Sequence, residues 1–89
     1  MTKKRRKLNK DFEKKIYSSK KNVELVLAKI YDINDEDIQK EYMSAFNQVV
    51  YLYDELKLDY DQIGFNENSE KLLTNYKNAL NLFESEFEI

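Results

Sequence analysis

Apolar residues recur along this chain at alternating steps of four and three, in three separate runs. The most continuous run lies in the middle, where Ile38, Tyr42, Ala45, Val49, Leu52 and Leu56 share one seam and Phe46 and Tyr53 widen it. Such steps keep side chains on one face of an α-helix, so the pattern predicts a helix over about 35–58. Met43 and Val50, seven residues apart, mark a flank of that seam with Tyr51 beside them, which lets this helix touch two neighbours at once. It is therefore the expected central helix. Upstream, Phe12, Ile16, Ser19, Val23, Val26, Ile30 and Ile33 keep the same rhythm, with Ser19 as the one polar member, and predict a helix over about 9–33. Downstream, Leu73, Tyr76, Leu80, Phe83 and Phe87, with Leu72 and Ala79 alongside, predict a third over about 67–86.

The breaks between the runs have their own chemistry. Asn34 or Asp35 is placed to cap the second helix, with acids following at the positive end of its dipole. So short a connection makes the first two helices an antiparallel hairpin. The only glycine, Gly64, suits a left-handed turn after Leu58, and Asn66 or Asn68 is placed to cap the third helix. The resulting expectation is all-α: a small antiparallel three-helix bundle. Residues 9–89 form its single helical domain, and residues 1–8 form a mobile basic arm with nothing apolar enough to anchor it.

Composition strengthens this picture. With no proline, one glycine and 36% charged residues, almost nothing in the 89 residues breaks a helix, and 42% apolar content is too high for a disordered chain. The formal charge of −2 conceals an asymmetry. Residues 1–22 carry ten Lys or Arg against Asp11 and Glu13, whereas residues 23–89 carry five lysines against fifteen acids. A basic arm is thus joined to an acidic body. No apolar run approaches the roughly 20 residues of a membrane span, and no apolar core follows the basic start, so the expected chain is soluble and cytoplasmic, with no membrane partner.

Candidate chemistry is narrow. The absence of histidine and cysteine removes the usual zinc ligands, thiolate nucleophiles and the side chain that titrates near neutrality. No phosphate-cradling glycine loop and no nucleophile–base pairing is present, so the chain is read as non-enzymatic, with no cofactor. The stretch Asp59-x-Asp61-x-Ile63-Gly64-x-x-Glu67-x-x-Glu70 resembles an EF-hand calcium loop. Asp59, Asp61, Glu67 and Glu70 fall at loop positions one, three, nine and twelve and the glycine at six, although Ile63 occupies a ligand position. Ala79 to Phe83 is similar to the pentapeptide by which bacterial replication proteins bind the sliding clamp, without its leading glutamine.

Two binding readings remain. The main one is a module that binds another protein carrying a basic site, in the manner of a regulator, inhibitor, adaptor or immunity/antitoxin-type protein. It would act through an acidic, tyrosine-rich surface that includes Tyr31, Met43, Val50, Tyr51, Leu82, Asp59 and Asp61. The same surplus of apolar residues could serve a homodimer. The alternative is nucleic-acid binding through the arm, with Lys3, Lys4, Arg5, Arg6, Lys7, Lys10, Lys14 and Lys15 neutralising phosphates.

Overall fold

A computed structural model describes residues 3–87 of the chain, with side chains from Asn9 onward. Three helices follow one another: α1 (Lys3–Tyr31), α2 (Glu36–Ile63) and α3 (Ser69–Glu86). They form an elongated antiparallel bundle of 53 × 21 × 18 Å. Phe12 of α1 packs against Tyr60 of α2, and Tyr42 of α2 against Phe87 at the far end of α3, which fixes the antiparallel order.

The core is built from the three runs. Phe12, Ile16, Val23, Val26 and Ile30 from α1, Phe46, Val49, Tyr53 and Leu56 from α2, and Leu73, Tyr76, Leu80 and Phe83 from α3 are all buried. Met43 and Val50 pack against this core from the flank of α2. On the same flank, Gln39 Nε2 donates to the carbonyls of Ile30 and Tyr31, so the flank faces α1. α2 is indeed central. It packs on both neighbours, while no Cα of α1 lies within 8 Å of a Cα of α3. The gap is bridged by a long side chain: the buried Tyr76 hydroxyl donates to the Ser19 carbonyl at 3.1 Å. The Ser19 hydroxyl in turn donates to Lys15 O at 2.9 Å, which explains how a serine occupies a core position without an unpaired polar atom.

The helix ends depart from expectation at three places. α1 begins at Lys3, not near residue 9, because Lys, Arg and Leu are good helix formers and neither glycine nor proline interrupts them. α2 runs on to Ile63, five residues past Leu58, and this puts Tyr60 in the core-facing register and not outside it. Its ring lies 5.9 Å from Phe12 and its hydroxyl donates to the Asn9 carbonyl at 3.0 Å. Ile38, assigned to the seam, is 43% exposed because it lies one turn beyond Tyr42, where Phe87 closes the bundle.

The capping residues are resolved individually. Asp35 is the N-cap of α2, its Oδ1 accepting from the amides of Asp37 and Ile38 at 3.0 and 3.1 Å. Asn68 holds the cap position of α3 but its side chain makes no capping bond. Asn66 organises that turn instead: its Oδ1 accepts from Asn68 N, and its Nδ2 donates to Asp59 Oδ2 and to Gly64 O, each at 2.8 Å. Asn9 ties the start of the bundle to this turn, since its Oδ1 accepts from Phe65 N at 2.9 Å. Gly64 sits at φ 80°, ψ −166°, a region open essentially to glycine alone. A Cβ there would meet only Asn9 Oδ1 at 3.7 Å, an ordinary contact, so the strain would be purely conformational. Gly64→Ala should therefore destabilise the chain by about 1–3 kcal/mol, read as a lowered urea midpoint at an unchanged slope; an unchanged midpoint would mean that the turn relaxes freely.

Candidate interaction surfaces

Because α2 packs on α1 along one flank and on α3 along the other, its remaining face points outward. That face carries Tyr51 and Leu58, seven residues apart and each 58% exposed, with Asp54 and Glu55 between them and Asp61 one turn on. The seven-residue spacing places both apolar side chains in one row along the helix. The Glu55 carboxylate, one turn from Tyr51, raises the pKa of its hydroxyl above the usual phenol value, so the ring presents a protonated hydroxyl across the neutral range. Asp61 pairs with Lys57 at 2.6 Å, which raises the lysine pKa, and among the described residues Asp54 and Glu55 of the row enter no ion pair.

The residues expected to form a protein-binding surface are distributed unevenly. Tyr51 and Leu82 are exposed, and so is Tyr31 at the end of α1. Leu82 edges a small apolar groove of 90 Å³ between α2 and α3, lined also by Ala45, Val49 and Phe83. Met43 and Val50, by contrast, are half-buried and packed against the core, because the flank they mark is where α1 lies. Leu58 was not among the expected residues, since a helix ending there leaves it at a terminus. Extending α2 to Ile63 restores it to the row begun by Tyr51, a spacing already readable in the sequence.

The acids of residues 59–70 do not form the calcium loop that their spacing resembles. Asp59 and Asp61 belong to α2, where residues two apart point to different sides. Asp59 accepts from Asn66 and Asp61 from Lys57, while Glu67 precedes α3 and Glu70 lies in its first turn. No cluster of three potential metal-ligating side chains forms among the described residues. The clamp-like pentapeptide is likewise folded into α3 with Leu80 and Phe83 buried, so the stretch is not available as an extended segment.

A second surface lies between α1 and α3, where their separation leaves an open groove of 340 Å³ lined by Lys14, Lys15, Ser18, Asn22 and Lys77 above Ser19, Tyr76 and Leu80. Of the residues assigned to nucleic-acid binding, Lys14 and Lys15 line this groove and Lys10 is exposed one turn upstream. The side chains of Lys3, Lys4, Arg5, Arg6 and Lys7 lie outside those the structure describes. Ser18, Asn22 and Lys77 gave no signal in the sequence, because the two walls of the groove come from segments some sixty residues apart. No helix of the described residues is long and apolar enough to cross a membrane. Comparison with protein-family models, curated proteins and solved structures finds no match to this chain.

Proposed function

We propose that the chain is a small, non-enzymatic protein-binding module, a regulator, inhibitor or adaptor that engages a basic site on another protein through the outward face of α2. The observation that supports this most is the exposed Tyr51–Leu58 row with Asp54 and Glu55 within it. Two large apolar side chains at helical spacing supply contact area, and tyrosine is a favoured anchor at interfaces. The adjoining carboxylates favour a cationic partner and disfavour an anionic one. The partner class follows from this chemistry: a protein surface with an apolar cleft bordered by Lys or Arg.

The test pairs capture with reconstitution. A partner retained on the immobilised full chain is identified by mass spectrometry, purified and titrated against wild type, Tyr51→Ala/Leu58→Ala and Asp54→Lys/Glu55→Lys. Both double variants should lose at least tenfold in affinity, roughly the 1.4 kcal/mol that a modest interface anchor contributes. A reconstituted partner that binds both variants as tightly as wild type would place the interface elsewhere and refute the assignment.

A further inference from the structure

α1 carries two stripes. Opposite its core stripe, Lys3, Lys7, Lys10, Lys14, Tyr17 and Lys21 occupy positions spaced four, three, four, three and four, so they share one register on the helix over about 27 Å. From Lys10 onward all of these side chains are exposed, and Lys21 Nζ lies 5.3 Å from the centre of the Tyr17 ring. The α1–α3 groove opens along the edge of this stripe and shares Lys14 with it. Among the described residues, no carboxylate lines the groove. Lys14, Lys15 and Lys77 enter no ion pair among the described residues, whose two pairs are Lys40–Glu36 and Lys57–Asp61. The acid nearest the stripe, Glu13, lies outside the groove and borders a shallow hollow with Lys10, Lys14 and Tyr17, one turn before the ring.

We propose that this face binds a single-stranded nucleic acid, with one phosphate seated in the α1–α3 groove and a base stacked on Tyr17. Ammonium, hydroxyl and amide donors converging without an acid among them suit a phosphate oxyanion. A linear row of cations with an exposed aromatic ring set into it suits a strand whose bases are free to stack, whereas an acidic protein segment has no use for the ring's flat face. The acidic outer face of α2 lies on the third side of the bundle, so its charges are turned away from the strand. The groove also explains a role for α3 that the basic amino-terminal segment alone does not: Lys77 closes the phosphate from the opposite wall.

Fluorescence anisotropy of the full chain with a labelled oligothymidylate of about 20 nucleotides tests this, since that length exceeds the reach of a single ssDNA-binding fold. Affinity should fall roughly tenfold or more between about 50 and 200 mM salt, as displacement of counterions by three or more lysines requires. Lys14→Glu/Lys77→Glu should weaken binding at least about tenfold, with Lys14→Gln/Lys77→Gln intermediate. Lys71→Glu, one such charge reversal on α3 outside the groove, should alter it less than about twofold. Tyr17→Ala should cost about fivefold or more. Absence of binding at low salt, or binding indifferent to both Lys14/Lys77 double variants, would overturn the proposal. Polyglutamate that competes as well as unlabelled oligothymidylate would also overturn it, in favour of an acidic protein segment.

Discussion

Phe46→Ala is expected to lower the melting temperature by 15 °C or more, corresponding to about 3–5 kcal/mol for an emptied aromatic core position. Phe46 has no exposed surface and lies at the middle of the central helix, with its ring centroid 4.9 Å from that of Phe83. It sits where α2 is packed on both sides, so no surface loop can collapse into the cavity. A domain of this length commands only about 4–13 kcal/mol in total, and the substitution would remove a large share of it. Phe46→Leu, which keeps most of the volume, should cost less than half as much. A Phe46→Ala variant melting within 5 °C of wild type would mean that the three stripes do not converge on this residue. Thermal unfolding followed by circular dichroism decides it.

The second large effect is alkaline. Burial pushes the Tyr76 hydroxyl up to about 12, from an ordinary value of 10.0, and the neighbouring Ser19 side chain offsets only part of that shift. The folded state therefore holds this proton more tightly than the unfolded chain does. The stability so gained is fully present below pH 10 and is lost as pH rises from 10 through about 12, because the unfolded chain alone releases the proton there. Two pH units correspond to a loss of roughly 2–3 kcal/mol. Tyr53 and Tyr60, both also raised by burial, act in the same direction. Urea titrations at stepped pH should show a flat midpoint up to pH 10 and a steep fall above it, with tyrosinate absorbance rising as the helical signal falls. In Tyr76→Phe the fall should be shallower, at the cost of about 1 kcal/mol near neutrality for the lost hydrogen bond. An identical fall in Tyr76→Phe would assign the alkaline transition to other groups.

How far the molecule was legible in its sequence differs from one feature to the next. The stripes were readable because helical periodicity is local: the core residues of α1, from Phe12 to Ile30, and of α3, from Leu73 to Phe83, are buried where their spacing placed them. The centrality of α2 was readable for the same reason, since Met43 and Val50 announced a second packed flank. The end of α2 was not, because Asp59, Asp61 and Gly64 imitate a loop while Tyr60 keeps the helix running by packing on Phe12. Nor was Asn9, an ordinary polar residue until Phe65, 56 positions later, donates to it. The α1–α3 groove is of this kind too. It exists because Tyr76 reaches Ser19 across 57 positions and holds the two helices apart while joining them, and no local pattern encodes that distance. Charge asymmetry along the chain was visible; its separation onto opposite sides of the bundle required the fold.

The claim that α2 keeps its outward row for a foreign protein depends on the three stripes closing within one chain. Light scattering on the full chain as it elutes from a size-exclusion column tests that claim directly. The expected mass is that of the monomer, 10.8 kDa, unchanged by Tyr51→Ala/Leu58→Ala. A mass of twice that value, returning to the monomer in the double variant, would show that a second copy of the chain covers the row and would contradict the proposed function.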